Sequence, residues 1–529
     1  MEDLESPLID YHANRDVQAT WRYHTGTNHS YRSVHQNSHH MDWHNQPIPF
    51  KIYTTLSPRQ LPTDFASTGL TPFEALATAE TDSQIPGDVL CTVDELAALL
   101  YYSGGVTKVG TVPNGGKMYF RAAACTGALY HIELYLVCGQ IQDLAAGIYH
   151  FGAHDFSLRQ LRAGDYRQVL VEASGGDTAM AQAPAILVCS SVFWRNAWKY
   201  QARAYRHCFW DSGTILANLL ATGSARGLPL RLVSAFVDEP INRLLDLGYN
   251  REVALHLVAL GRDARNQIPS PPAMNAVHLE VQPYSQSEVT YPAIGEMHAA
   301  SSLATPQDLA SIQIFPGNLG RRGLEVQGPL FPLLGESGVD DGPEARTIEE
   351  TIQRRGSSRR FRRAPISFGQ LSKILMGAVA NIPADFVGGD HALMNLPYLI
   401  VNDVDGLPAG SYVFHPEKGA LEQLKAGDFR ERAGHLDLGQ ELATDASVNI
   451  YFLNDLNEAL ERFGNRGYRL AQTEAAIMGG RVYLGAYAQR LGATGLTFFD
   501  DDVTGFFSPH AQGKSVMFLI ALGRPMRRL

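Results

Sequence analysis

A lysine–tyrosine pair, Lys199-Tyr200, is the first part of the sequence whose side chains suit proton transfer. A lysine in a partly buried pocket can act as a general base because loss of water lowers its pKa, and an adjacent phenol can position it or relay the proton. The alternative is a surface lysine beside a tyrosine that packs. The pair alone does not decide between the two.

A second candidate is the arginine cluster at residues 354–363, RRGSSRRFRR, which holds six arginines, two serines and a glycine. Guanidinium and hydroxyl groups bind phosphate monoesters through charge-assisted hydrogen bonds, each worth about 1.5–3 kcal/mol. The cluster therefore predicts a phosphate site. A solvated basic surface is the alternative.

Small residues dominate a third segment, Arg121–Tyr130, which reads RAAACTGALY and leads into an apolar strand predicted at 132–137. Without bulky side chains, a backbone can approach a flat ligand closely. The segment is therefore a candidate for contact with a planar ring system.

These segments belong to a chain that repeats itself. Residues 147–167 (GIYHFGAHDFSLRQLRAGDYR) match residues 410–430 (GSYVFHPEKGALEQLKAGDFR) at an offset of 263, and RAYR at 203–206 matches RGYR at 466–469 at the same offset. HLVALGR at 256–262 matches FLIALGR at 518–524 at an offset of 262. Several matches in one order at a nearly constant offset indicate two tandem domains.

The two copies differ at each candidate segment. Copy two has Arg462-Phe463 where copy one has Lys199-Tyr200, and copy one is acidic at 79–84 (AETDSQ) where copy two carries the arginine cluster. About a dozen residues around the small-residue segment are missing from copy two. Each half thus keeps a different part, which predicts one composite site across the domain interface. The Arg-x-Tyr-Arg framework persists in both copies, which indicates a structural role.

The elements that position these residues mix helices and strands. Capping boxes, in which a hydroxyl closes a helix N-terminus and a residue three positions later answers it, predict helices beginning after Thr71, Thr92, Thr347 and Ser367. Short apolar runs predict buried strands at 185–189, 255–260 and 516–522. The predicted fold class is α+β, with two tandem domains that each contain a mostly antiparallel sheet flanked by helices and together form an intramolecular pseudo-dimer.

Length allows two domains of about 200–260 residues. We expect a lead-in at 1–65 that has no counterpart in the second half, a first domain at 66–265, a connector at 266–345 and a second domain at 346–529.

Composition excludes several classes of protein. Hydrophobic residues make up 45% and charged residues 19%, which is typical of a globular chain, and the net charge of −10 argues against a nucleic-acid or anionic-membrane surface. The five cysteines form no CxxC pair, the acidic N-terminus lacks signal-peptide features, and no apolar run approaches the ~20 residues of a membrane helix. We therefore expect a cytoplasmic protein without a nucleic-acid, membrane or metal partner.

Together these features resemble the tandem form of the SagB/ThcOx family, FMN-dependent dehydrogenases of the nitroreductase superfamily. The resemblance covers nearly the whole chain and is most specific at 193–213, FWRNAWKYQARAYRHCFWDSG. It implies FMN as the cofactor and proton abstraction by Lys199 and Tyr200. It also implies a phosphate site at Arg355, Ser357, Arg359 and Arg524, and flavin-ring contacts from Arg121, Cys125, Thr126, Gly127, Thr497 and Phe498.

The chain departs from the family pattern in the ring segment. The family commonly has Arg-x-x-Pro-Ser-Gly-Gly-x-Leu-Tyr there, whereas this sequence has Ala124-Cys125-Thr126 in place of Pro-Ser-Gly. Backbone N–H groups of Cys125 and Thr126 survive any change of side chain, so we expect them to remain available to the ring.

The resemblance implies oxidation of a C–N or C–C bond in a peptide or carrier-bound substrate, with azoline-to-azole oxidation in natural-product biosynthesis as the leading candidate. A base removes a carbon-bound proton while a hydride passes to FMN, which dioxygen reoxidises. A cyclodehydratase or another member of a biosynthetic complex is the implied partner. Two alternatives stay open: an NAD(P)H-dependent nitro- or quinone reductase, and a flavin-free scaffold of a peptide-modifying complex.

Overall fold

The computed structural model of the protein describes residues 13–36, 39–78, 87–111, 116–265, 267–277, 279–313, 325–335, 345–387 and 393–526. The acidic segment at 79–84, which the sequence aligns with the arginine cluster, lies outside the described residues. No helix in the described part of the chain is long and apolar enough to cross a membrane.

Each repeat is built around one sheet. The strands of the first repeat are β1 (Pro58–Gln60), β2 (Val106–Thr111), β3 (Lys117–Arg121), β4 (Ile132–Cys138), β5 (Gly147–Gly152), β6 (Ser157–Ala163), β7 (Ala185–Val192), β8 (Leu230–Val233) and β9 (Glu252–Leu260). The strands of the second are β10 (Leu330–Pro332), β11 (Phe361–Arg362), β12 (Ile366–Ser367), β13 (Asn395–Val401), β14 (Val404–Asp405), β15 (Gly410–His415), β16 (Ala420–Ala426), β17 (Val448–Asn454), β18 (Gly492–Gly495) and β19 (Ser515–Pro525).

The two sheets share one strand order. The first runs β1-β6-β5-β4-β7-β9-β8 and the second runs β10-β16-β15-β13-β17-β19-β11, with β18 also paired to β19. All neighbours in these two sheets are antiparallel. The apolar runs predicted as buried strands lie within β7, β9 and β19, which confirms those predictions.

Helices flank both sheets. Those of the first repeat are α1 (Gln18–Gly26), α2 (Tyr31–Gln36), α3 (Pro72–Thr78), α4 (Val93–Gly104), α5 (Arg167–Ala173), α6 (Thr178–Gln182), α7 (Phe193–Tyr200), α8 (Ala204–Ala225) and α9 (Asp238–Leu244). Those of the second are α10 (Pro292–Ala300), α11 (Pro306–Gln313), α12 (Ile348–Arg354), α13 (Phe368–Val379), α14 (Arg430–Leu436), α15 (Glu441–Asp445), α16 (Leu456–Phe463), α17 (Arg466–Ala488) and α18 (Asp500–Phe507). The predicted α+β class with two tandem antiparallel-sheet domains is confirmed.

The predicted helix starts are present. Thr92 and Thr347 each accept a hydrogen bond from the backbone N–H three residues later, at 3.1 and 3.3 Å. At Thr71 and Ser367 the reciprocal bond from the third residue's side chain is formed as well. These caps satisfy N–H groups that a helix leaves without an internal partner, so the local sequence determines where α3, α4, α12 and α13 begin.

Two elements of the first 65 residues, α1 and β1, have counterparts, although we expected none for this part of the chain. His24 of α1 lies 3.3 Å from the hydroxyl of Tyr468, and His298 of α10 lies 3.3 Å from that of Tyr205. Strand β1 pairs with β6 as β10 pairs with β16. The counterpart of the lead-in thus falls inside the predicted connector, and the domain boundaries stay a prediction.

Long helices α8 and α17 pack against each other at the domain interface. A Cβ atom at Gly213 would lie 2.5 Å from the Cβ of Ala476, and one at Gly480 would lie 2.5 Å from the Cβ of Ala217. Because such distances are too short for any side chain, these glycines are what allow the two helices to approach so closely.

The Arg-x-Tyr-Arg framework joins the domains in a reciprocal pattern. Asp500 accepts from Arg203 at 3.0 Å and from Arg206 at 2.6 Å, while Asp238 accepts from Arg466 and from Arg469, each at 2.9 Å. All of these groups are buried. Each domain therefore supplies two arginines to a carboxylate of the other, which confirms the structural role predicted for the framework.

Candidate active site

Arg355, which caps the C-terminal end of α12 in copy two, crosses the interface to the small-residue segment of copy one. Its Nε donates to the carbonyl of Ala122 at 2.7 Å, and its Nη2 donates to the carbonyls of Arg121 and Ala123 at 2.7 and 3.1 Å. Three carbonyls held by one guanidinium fix the path of this segment. The contact brings together the segments that the sequence assigned to a composite site.

Asp211 of α8 holds the same segment from the protein interior. Its Oδ1 accepts from the backbone N–H of Thr126 at 2.9 Å and from the Thr126 hydroxyl at 2.7 Å. Its Oδ2 accepts from the Cys125 thiol at 3.0 Å. The Thr126 N–H is therefore engaged, which corrects the expectation that it is available to a ring. Burial and the neighbouring carboxylate raise the pKa of Cys125 well above its usual value, so its side chain remains a thiol.

Asp211 was not among the predicted site residues, although the repeat marks its position. Glu474 lies 263 residues later, at the offset of the repeat, and its carboxylate accepts from the backbone N–H groups of Met394 and Asn395 at 3.1 and 2.8 Å. A buried carboxylate that anchors the chain before the first long strand is thus common to both copies.

Lys199 and Tyr200 lie at the C-terminal end of α7. Gln201 follows with a φ of 50°, a left-handed conformation that turns the chain from α7 towards α8. A Cβ atom at Gly127 would lie 2.8 Å from the Tyr200 hydroxyl, so Tyr200 lies directly against the small-residue segment. The Tyr200 ring also packs edge-on against His207, with ring centroids 4.6 Å apart.

The electrostatic surroundings assign the two residues different protonation states. Burial, followed by the charge of Arg359, lowers the pKa of the half-buried Lys199 below its ordinary value. Burial, followed by the charge of Asp211, raises the pKa of Tyr200. Lys199 is therefore the better proton acceptor of the pair, and Tyr200 remains a hydrogen-bond donor.

The residues predicted to bind phosphate differ in what their side chains contact. The Ser357 hydroxyl lies 3.2 Å from that of Tyr483, and Arg524 donates through Nε to the carbonyl of Pro365 at 2.6 Å. Arg359 is exposed, and its guanidinium has no hydrogen-bond or ion-pair partner among the described residues. Arg359 is thus the most available cation of the predicted set, and its effect on Lys199 places it near the catalytic candidates.

The segment at 497–499 is mostly internal. Phe498 is fully buried, with its ring centroid 6.0 Å from that of Trp210 and 5.4 Å from the guanidinium of Arg203. Thr497 is partly exposed, and its carbonyl accepts from Gln440 at 3.4 Å. Within this segment, the part around Thr497 is accessible to a ligand.

These features fit a flavin mononucleotide. Ala124 is partly exposed and Gly127 is exposed in the small-residue segment, which suits a flat ring, and Tyr200 lines the position that a side chain at Gly127 would fill. Arg359 and Ser357 supply a cation and a hydroxyl for a phosphate monoester. The predicted assignments of individual residues to the flavin stay predictions.

Known proteins share this architecture. No family model matches the chain. "Putative nitroreductase MJ1384" of Methanocaldococcus jannaschii is 24% identical over 171 residues, which cover 32% of this chain and 81% of that protein. The crystal structure of a "putative nitroreductase" from Anabaena variabilis superimposes with a TM-score of 0.73 and 26% identity, covering 96% of this chain and 99% of the other. A Ralstonia eutropha structure of the same description covers 42% of this chain with a TM-score of 0.32. The fold is that of the nitroreductase superfamily in tandem form.

Proposed function

We propose that the protein is an FMN-dependent dehydrogenase of the SagB/ThcOx type with one composite site per chain. The observation that carries the proposal is the contact of Arg355 from copy two with the small-residue segment of copy one, beside Lys199 and Tyr200. It joins a ring-binding surface, a phosphate-binding surface and a base that neither copy supplies alone. The nitroreductase relatives support an oxidoreductase on this fold.

Each residue has a distinct task in this proposal. When bound, FMN supplies a two-electron acceptor for hydride. Lys199 accepts the carbon-bound proton of the substrate, since its lowered pKa increases the fraction of neutral amine. Tyr200 donates a hydrogen bond that orients the substrate or relays the proton. Arg359 and Ser357 hold the phosphate, and Arg355 keeps the ring segment in place.

The substrate class follows from the same resemblance. A peptide or carrier-bound azoline, oxidised to an azole, gains aromatic stabilisation, so positioning and one base suffice as catalytic apparatus. The similarity to proteins described as nitroreductases favours a second candidate, an NAD(P)H-dependent reductase. The dehydrogenase and the reductase would both use flavin, so the same fold serves either reaction.

Flavin content tests the proposal. We expect one FMN per 529-residue chain, measured from the absorption spectrum after denaturation. Two would contradict the composite site, and none after incubation with FMN would favour the non-catalytic scaffold. Anaerobic bleaching of the flavin by an azoline peptide but not by NADPH supports the dehydrogenase, whereas the reverse pattern supports the reductase.

Replacing Arg359 with alanine tests the phosphate assignment. Loss of one charge-assisted bond of about 1.5–3 kcal/mol should weaken FMN binding about 10- to 100-fold. Riboflavin, which lacks the phosphate, should bind the variant and the parent protein equally well. Titration of the flavin-free protein with both ligands gives the comparison. Arg360→Ala, which removes the adjacent exposed arginine, serves as the matched control, and equal losses for FMN and riboflavin would contradict the assignment.

A further inference from the structure

A cysteine, a histidine and an aspartate converge beneath the small-residue segment. The Sγ of Cys125, a ring nitrogen of His131 and a carboxylate oxygen of Asp211 all lie within 4.8 Å of one another. His131 and Asp211 are buried, and Cys125 is partly exposed. A small cavity lined by Cys125 and Asp211 adjoins the cluster, so the thiol and the carboxylate can be approached from one side.

The Asp211 carboxylate divides its contacts between its two oxygens. Oδ1 accepts from the backbone N–H and the hydroxyl of Thr126, while Oδ2 lies 3.0 Å from the Cys125 Sγ and 2.8 Å from the His131 Nε2 and also accepts from the Thr126 N–H at 3.0 Å. The other ring nitrogen of His131, Nδ1, lies 2.8 Å from the hydroxyl of Ser191. A hydrogen bond to the second nitrogen is the usual way in which proteins orient a metal-ligating histidine. If Oδ2 and Nε2 change partner, Oδ1 keeps its two hydrogen bonds to Thr126.

We propose that Cys125, His131 and Asp211 form a binding site for a divalent cation of the zinc class. Sulfur, imidazole nitrogen and carboxylate oxygen are the donors that Zn²⁺ takes in proteins, and three protein ligands leave a fourth position for water. Ligand atoms around Zn²⁺ lie about 3–4 Å apart, because each bond is about 2.0–2.3 Å long. Oδ2 would therefore move slightly away from Sγ and Nε2, which lie 3.0 and 2.8 Å from it. This inference does not depend on the proposed function.

The charges of the cluster once Cys125 is deprotonated would match a divalent cation. A thiolate beside the Asp211 carboxylate is disfavoured by repulsion, and a divalent cation matches the charge of both groups together. On binding, the thiol proton of Cys125 passes to solvent, and the proton that His131 carries on Nε2 is exchanged through solvent for one on Nδ1, beside the Ser191 hydroxyl. Sγ, Nε2 and Oδ2 then each donate an electron pair to the cation. The bound cation would join the small-residue segment to α8 and to the start of β4.

Cobalt binding tests the site directly on the full-length protein. We expect one Co²⁺ per chain to give thiolate-to-cobalt charge-transfer absorption, which Zn²⁺ abolishes by competition. Cys125→Ser should remove this absorption, and His131→Gln should weaken Co²⁺ binding by more than about tenfold. Binding should tighten as pH rises, since a proton is released.

Cys91→Ser is the matched control, because it removes another buried thiol that lies outside the cluster. It should leave the cobalt spectrum unchanged. Cobalt bound without charge-transfer absorption would be held by other residues, such as the histidines near the N-terminus, and would overturn the proposal. So would an absorption band that survives in Cys125→Ser, provided that thermal unfolding shows both variants to be folded.

Discussion

Replacing Lys199 with methionine is expected to reduce turnover by about 10²- to 10⁴-fold while the protein retains one FMN per chain. Methionine keeps the length and apolar stem of the side chain but cannot accept a proton. Because Arg359 and Ser357 hold the flavin phosphate in our proposal, flavin binding should not depend on Lys199. The measurement combines steady-state turnover of an azoline peptide with flavin content and flavin affinity.

Arg462→Met supplies the matched control. Arg462 occupies the corresponding position at the end of α16 in copy two, so the change alters the same kind of helix end outside the composite site. We expect it to leave turnover within about twofold of the parent. A similar loss in both variants, or loss of flavin in Lys199→Met, would show that the change acts on the structure and not on proton transfer.

The pH dependence gives a second readout of the same group. Burial and the charge of Arg359 lower the pKa of Lys199, and only the neutral amine can accept a proton. Turnover should therefore rise with pH through that lowered pKa and then level off. Arg359→Ala removes the repelling charge, so it should move this rise to higher pH. A rise that stays in Lys199→Met would have to come from another group.

Comparison of the two copies explains how much of the site the sequence could predict. Tyr200 of copy one and Arg355 of copy two belong to stretches that differ between the repeats, and both contact one segment in the structure because the interface of α8 and α17 joins the two halves. Sequence patterns indicated which half holds which part. The three carbonyls that Arg355 contacts lie more than 230 residues away along the chain, so no local pattern could reveal them.

A change in the offset between the two repeats hides the counterpart of the lead-in in the sequence. The β2–β3 hairpin of copy one has no counterpart among the described residues of copy two. It changes the offset between the repeats from 275, between the starts of α4 and α13, to 263, between those of β4 and β13. Alignment at 263 therefore places the first 65 residues against the wrong part of the second half. The helix caps were predictable because each depends on residues only three positions apart.

Removing either interdomain aspartate should have the largest effect on stability. Asp238 and Asp500 are each buried between two arginines from the other domain, and loss of one carboxylate leaves two buried cations without their partner. Breaking a buried pair in this way costs about 3–5 kcal/mol. We expect Asp238→Ala and Asp500→Ala each to lower the free energy of unfolding by about that amount in urea titrations.

Asp445→Ala is the control for these variants. Asp445 pairs with Arg363 at 2.7 Å, but Arg363 is 56% exposed, and such surface pairs contribute about 0–1 kcal/mol. If the free energy of unfolding also fell by under about 1 kcal/mol in the Asp238 and Asp500 variants, the reciprocal pairs would not be what holds the domains together.

Acidic pH should lower the free energy of unfolding through Asp500 even without a mutation. Burial alone would raise the pKa of this carboxyl, but the charges of Arg203 and Arg206 outweigh it and bring the pKa to about 2. Because this value lies below the ~3.9 of an unfolded chain, the pair stabilises the fold above about pH 4 and loses its contribution as the pH falls towards 2. Asp500→Ala should flatten the pH dependence of unfolding in that window. An unchanged slope would assign the acid sensitivity to other carboxylates.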